Sequence, residues 1–505
     1  MKSRFLICST SITLFAALAM PVRFAAQDNR NNHQHQHYQL IDMGTFGGPH
    51  SGTQDELKVL NSRGMVAGGA DTSTPDPNFP NSCFFCGPFI SHAFLFQDGN
   101  LTDLGALPGL NTSGANWMGE SGLTAGFSEN GAIDPLLGIP EIRAVLWKDS
   151  QIIDLGTLEG GYESAAFSVN SHGQVAGISQ NLVPDPFFFL GTQQRTFLWE
   201  NGVMQDLGTL GGPDAGIIGG PPINKGNVEM NERGQVVACS YINYTPNADT
   251  GVPTIDPFLW DKEKGMQDLG SLGGNIGCAI DINNRGQVVG YSNLPGDQTA
   301  HPFLWTKPGP MRDLGTLGGN FGFAIWANEA GEVVGSTTNQ GDQASHGFLW
   351  KNGIMTDLGT LNPLPNSFGQ WINSMEQIVG FAASSDFSTQ AAFLWENGGP
   401  LVDLNTLVPP GSNLYLAAAL NINDRGEITG GGFTAKGDLH AFLLIPCDGH
   451  HQGVEGCDYS MLDASAAKSR PSPVVREVFS GTQRLSPPSR TNRFHFPGSA
   501  VGPSN

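Results

Sequence analysis

Charge is scarce in this chain: only 14% of its 505 residues are Asp, Glu, Lys or Arg. Basic residues are scarcer still, 25 Lys and Arg against 46 Asp and Glu, which leaves a formal net charge of −21. Affinity for nucleic acid rests on clustered Lys and Arg, so that class of partner is disfavoured. Beyond the N-terminal residues there is no apolar run long enough to span a bilayer. The chain also has no P-loop, no Gly-x-Ser-x-Gly elbow, no His-Glu-x-x-His and no dinucleotide fingerprint. What it has in excess is glycine, 68 residues, roughly twice the usual share of about 7%. Few charges and many glycines predict strands joined by tight turns.

Lys2 and Arg4 precede an apolar stretch from Phe5 to Met20, with small residues at Ala17 to Ala19 and Ala25-Ala26. This reads as a secretory signal peptide over 1–26, so the mature protein is expected in a secreted, periplasmic or extracellular location, where disulfides are permitted. A polar linker over 27–37 follows, in which His33, His35 and His37 alternate. Six cysteines remain after the signal. Cys447 and Cys457 bracket a short loop and are expected to form a disulfide; Cys83 and Cys86, spaced CxxC without a second pair, are read as a loop disulfide and not a zinc site. Cys239 and Cys278 are left as a third pair that the sequence does not establish.

The chain repeats one unit. It reads Ala-x-x-Ile-Asn-x-x-Gly-Gln-Val-Val-Gly-x-Ser, a loop, and then His-Ala-Phe-Leu-Trp-x-x-Gly-x-Met-x-Asp-Leu-Gly-Thr-Leu-Gly-Gly. The Asp of the last motif falls at Asp42, Asp103, Asp154, Asp206, Asp268, Asp313, Asp357 and Asp403, 44 to 62 residues apart. Each unit holds four short β-type runs. Asn-x-x-Gly turns the first into the second, and Asn-Gly turns the third into the fourth. Phe and Trp of Phe-Leu-Trp share one face of a strand and Leu takes the other, so each sheet must be covered on both sides. A four-stranded sheet repeated at about 50 residues predicts an all-β fold, a β-propeller of eight four-stranded blades. The array opens with a lone fourth strand at Tyr38 and ends with three strands near Ile445, so the N-terminal strand is expected to close the ring. An open solenoid is the alternative architecture.

The His-Ala-Phe-Leu-Trp run together with Asp-Leu-Gly-Thr-Leu-Gly-Gly resembles the HAF family of probable extracellular repeat proteins over residues 38–446. The resemblance implies an exported bacterial repeat protein without an assigned activity. The name-giving His stands at His92, His301, His346 and His440; Arg143, Arg195, Asp256 and Ala391 replace it elsewhere. Residues 447–465 form a Cys-bracketed segment, and 466–505 a basic, Pro-rich tail expected to be disordered.

A residue found in every unit serves something every unit needs, so the eight Asp are read as turn anchors and the repeated Phe and Trp as core. Function is sought in what does not repeat. The loop between the second and third strands is long in the first four units and short in the others. The long loops carry Asp76, Asp134 and Asp185 before Pro, and the aromatic clusters Phe84-Phe85, Phe187-Phe188-Phe189 and Tyr241 with Tyr244. These are the candidate ligand-binding residues of a binding or scaffolding module, with an extracellular glycan or protein as ligand and no cofactor or metal. The alternatives are a carbohydrate-active hydrolase or lyase that uses the loop acids as its carboxylate pair, or a purely structural surface protein. Trp117, Trp326 and Trp371 fall at matching positions in first strands, where packing between blades and sugar stacking are both open readings.

Overall fold

The computed structural model describes residues 36–54, 57–79, 87–188, 191–218, 227–248, 250–448 and 457. The signal peptide, most of the linker, Cys83 to Cys86 with Phe84 and Phe85, Phe189, most of 447–465 and the tail lie outside these residues. The described chain is all-β, with one 3-10 turn at Leu404–Thr406. Five antiparallel sheets are four-stranded. In a further sheet the first strand is split into Ala215–Gly216 and Glu229–Met230, both paired with Val236–Tyr241. The largest sheet consists of two four-stranded meanders joined by a single parallel bridge, Ala300 to Phe321.

Each four-stranded meander follows one repeat unit in strand order, with one exception. Tyr38–Asp42 pairs antiparallel with Leu439–Pro446, Tyr38 opposite Pro446 and Asp42 opposite Phe442. The fourth strand of this sheet therefore comes from the other end of the chain. The same sheet bonds the one that begins at Gly47: Ala441 N–H donates to Ser51 Oγ at 3.1 Å, and Leu439 N–H to His50 Nδ1 at 3.1 Å.

The repeated residues have assignable tasks. The Phe of Phe-Leu-Trp is fully buried at Phe94, Phe197, Phe258, Phe303, Phe348, Phe393 and Phe442. Its ring lies over the second Gly of Gly-x-Val-Val-Gly. A Cβ on Gly380 would sit 2.0 Å from the Phe368 carbonyl oxygen and 2.7 Å from the Phe393 ring, so no side chain fits there. The Asp of Asp-Leu-Gly accepts the N–H two residues on, as in Asp268 Oδ1 from Gly270 at 2.7 Å and Asp357 Oδ1 from Gly359 at 2.7 Å. Where His stands on the third strand it bonds this Asp across the sheet: His92 to Asp103, His301 to Asp313, His346 to Asp357 and His440 to Asp42, all within 3.1 Å.

The turn Asn works in two directions. Asn283 Oδ1 accepts from Arg285 N–H and Gln287 N–H, which folds the turn, while its Nδ2 donates 2.9 Å to the Asn328 carbonyl of the next unit. Asn328 does the same to Asn373, Asn373 to Asn423, Asn423 to Asn61 and Asn231 to Asn283. The second unit has Gly119 at this position and offers only a carbonyl, which Asn61 reaches at 3.3 Å. Cys239 is bonded to Cys278, linking neighbouring units, and Cys447 to Cys457.

Candidate functional site

Antiparallel order places the Asn-x-x-Gly and Asn-Gly turns at one end of the sheets. The loops between second and third strands, and the connections between units, lie at the other. The two ends differ in character.

At the long-loop end the hairpins of the first three units are extended. Their second strands, Val66–Pro75, Thr124–Ile133 and Val175–Pro184, have 10 residues, whereas Val288–Asn293 and Ile378–Ala383 have 6. Near the tips Phe79, Ile133, Leu136, Leu182, Val183 and Tyr244 are 47% to 58% exposed. The residues singled out from the sequence divide here. Tyr244 points outward, but Tyr241 is buried, with Phe187 packed on it at 6.2 Å between ring centroids; Phe187 and Phe188 are half-buried. Asp76, Asp134 and Asp185 are all buried inside their loops. Asp134 Oδ1 accepts from Leu136 N–H and Leu137 N–H, and Asp185 from Phe187 N–H and Phe188 N–H, so each folds its own turn. Asp256, which also precedes Pro, lies within a third strand and not in the loop.

These loop carboxyls meet carboxyls of the following unit. Burial, with Asp134 alongside, pushes Glu163 up to about 8. Burial and then the Asp185 contact likewise push Asp214 up. Asp134 Oδ2, Glu163 Oε1 and Asp214 Oδ2 have no donor among the described residues. A buried pair of this kind is most economically satisfied by one shared proton. No group of three or more His, Cys, Asp or Glu among the described residues is placed to hold a metal ion.

At the short-turn end a cavity of about 290 Å³ lies among the first strands. The position two residues before the turn residue is held in successive units by Val59, Trp117, Ser168, Glu229, Asp281, Trp326, Trp371 and Asn421, of which Trp117, Glu229, Asp281, Trp326 and Trp371 line the cavity. In most units the strand register shifts just before this residue, as at Ala279/Asp281, Ala324/Trp326 and Gly369/Trp371. Such bulges re-aim a side chain. Trp326 and Trp371 stack with ring centroids 3.4 Å apart and planes inclined by 23°. Glu229 and Asp281 are each 2% exposed. Burial pushes Asp281 up to about 8 despite the Ala327 N–H it accepts at 2.8 Å, and burial and the Asp281 charge push Glu229 well above the usual carboxylate range. At the rim, Lys58 Nζ lies 2.5 Å from Glu120.

No family model and no curated protein matches this chain. Solved structures do resemble it, a β-propeller among them. The β-propeller domain of the Trilobed protease from Pyrococcus furiosus, described as having an open velcro topology, is 8% identical at a TM-score of 0.38, over 64% of this chain and 91% of that one. Porphyromonas gingivalis dipeptidyl peptidase 4 is 9% identical at 0.39, over 75% and 51%. A putative gluconolactonase is 10% identical at 0.27, over 60% and 81%. Likeness at this level carries no argument about the chemistry of this chain.

The sequence reading reached the three Trp and missed the two acids beside them. The signal was present: read down the repeats, the position two residues before the turn Asn varies among apolar, aromatic, polar and acidic residues, while the position after it is always apolar.

Proposed function

We propose that the protein is an exported, non-catalytic binding module: HAF-type repeats forming eight blades, closed into a ring by the N-terminal strand, that dock a partner through the long-loop end. Pairing of Tyr38–Asp42 with the last sheet, and the bonds from that sheet to the next, support closure. The observation that carries the functional reading is the exposure of Ile133, Leu136, Leu182 and Val183 on hairpins longer than the fold needs. Large apolar side chains left exposed at one end of a fold are where an interaction surface is sought. Aliphatic tips suit an apolar protein surface better than a sugar, which stacks on aromatic faces. The buried loop acids Asp76, Asp134 and Asp185 serve their own turns, which favours binding over hydrolysis. The disulfides, and the lack among the described residues of any helix long and apolar enough to cross a membrane, are consistent with an exported protein.

The test replaces Ile133, Leu136, Leu182 and Val183 with Ser and measures both partner capture from the cell envelope and thermal stability. Capture that disappears while the melting temperature holds supports the reading. Unchanged capture, or binding of a glycan array by both proteins alike, refutes it.

A further inference from the structure

The cavity at the short-turn end is independent of the loop tips and has a different chemistry. Its carboxyl groups outnumber its cations: Glu229 and Asp281 at its floor, Glu120, Glu232, Glu329 and Asp424 around its mouth, and Lys58 alone opposing them. Lys58 is already matched to Glu120, whose other oxygen accepts from Ser62. Of the nearby arginines, Arg285 donates to the Glu329 carbonyl and Arg425 pairs with Glu427, while Arg63 and Arg233 sit on the exposed outer side of their turns.

The amide donors of the turns are also spoken for. The amides of Asn231, Asn283, Asn328, Asn373 and Asn423 are given to neighbouring carbonyls, and the turn N–H groups to the same Asn side chains. An anionic ligand would find acidic rims and turn amides that are already engaged. A cation would find two desolvated carboxyls next to an aromatic pair, and aromatic faces attract cations. Nor does the fold demand these residues, since Val59, Ser168 and Asn421 occupy the same position in other units.

We propose that this cavity binds a small organic cation carrying a primary ammonium, held between Glu229 and Asp281 with its hydrocarbon part against Trp326 and Trp371. The two floor carboxyls are pushed toward the protonated form by burial, so binding the cation releases protons and strengthens as pH rises past neutrality. The other charged groups that face them are the mouth acids and Lys58.

The experiment titrates the full mature protein with 1,5-diaminopentane at about pH 6 and about pH 8.5, following tryptophan fluorescence and heat. N-acetylglucosamine and inorganic phosphate serve as neutral and anionic comparators. Wild-type protein should bind the diamine alone, more tightly at the higher pH. The Glu229→Gln/Asp281→Asn variant should bind about thirtyfold more weakly or worse, as for loss of a buried charge partner, and lose the pH dependence. If that variant does not fold, Asp281→Asn alone, which can still accept the Ala327 N–H, is tested for the same loss. No diamine binding to wild type, equal binding of N-acetylglucosamine, or diamine binding unchanged by the substitutions overturns the proposal. The Ser variants of the loop tips should leave diamine binding unaltered, so this site and the proposed docking surface fail or stand separately.

Discussion

Replacing Asn283 with Ala tests whether the turn asparagines hold neighbouring units together. The substitution removes four hydrogen bonds: those accepted from Arg285 N–H and Gln287 N–H, and those donated to the Asn328 carbonyl and to Gln287 Oε1. Asn283 is 6% exposed, and the Asn328 carbonyl faces it across a buried contact. Arg285 N–H can turn to water, so two buried partners are left unsatisfied, the Asn328 carbonyl and Gln287 N–H. At roughly 1–2 kcal/mol for each stranded group, the loss is about 3 kcal/mol. If the array unfolds as one unit, an unfolding entropy of about 2.1 cal/mol/K per residue converts this to a fall in melting temperature of about 3–4 °C. Asn284, its exposed neighbour, bonds Glu329 at 2.9 Å in solvent, and Asn284→Ala should cost under about 0.5 kcal/mol. Scanning calorimetry on the two variants decides the matter. Equal melting temperatures for Asn283→Ala and wild type, or an equal fall in Asn284→Ala, would show that the amide does not couple units.

Gly119 leaves one link of this series open, and its Cβ position is 3.2 Å from the Leu123 carbonyl. Gly119→Asn should raise stability by about 1 kcal/mol through added turn bonds and reduced freedom of the unfolded chain; a lower melting temperature would count against the assigned role. The His440–Asp42 pair carries a pH signature, because the Asp42 hydrogen bond raises the His440 pKa while that bond, with the Gly44 N–H, outweighs burial and lowers the Asp42 pKa. The contribution of His440 is complete below its ordinary value near 6.5 and is lost as pH rises through the raised one; that of Asp42 is present above the ordinary carboxylate range and lost as pH falls through the lowered one. The stability gap between wild type and Asp42→Asn should therefore be widest between about pH 4.5 and 6 and narrow above about pH 8. A gap that grows with alkalinity refutes the pairing. Glu163, pushed up to about 8, loses stability as pH rises through that value, so Glu163→Gln should melt higher than wild type at about pH 9 and little differently at about pH 5.

How much of this was legible in the sequence depends on whether a residue's task lies within its own unit. The four strands, the Asn-x-x-Gly turn and the Asp turn anchor were readable because each acts over two to four residues, as Asp268 does on Gly270. The split of the last sheet was readable from the strand count at the two ends. What the sequence could not show is what crosses between units. The Nδ2 of Asn283 looks like part of a turn until its partner, 45 residues away, is in place. Likewise Phe187 counts as a loop aromatic until Tyr241 is found beneath it, and Asp134 as an accessible acid until its oxygens are traced to its own loop. The Cys239–Cys278 bond belongs to the same class. The position two residues before the turn Asn was visible as a column, yet only convergence of the first strands gives Glu229 and Asp281 a common environment.

The partner of Tyr38–Asp42 is made last. Its hydrogen-bonding edge, Leu439–Pro446, leaves the ribosome some 398 residues after Asp42 does, as the separation between His440 and Asp42 records. Throughout synthesis the first strand of the array must therefore wait unpaired, while the sheets that follow it can each complete within their own stretch of chain. Closing so long a loop is slow, and an unpaired strand is an aggregation hazard meanwhile. A gene truncated anywhere upstream of residue 439 would yield a protein whose earliest strand has no berth. A circular permutant that moves Tyr38–Asp42 behind Pro446 would turn this distant pairing into a local hairpin, and it should refold faster with the same final sheet.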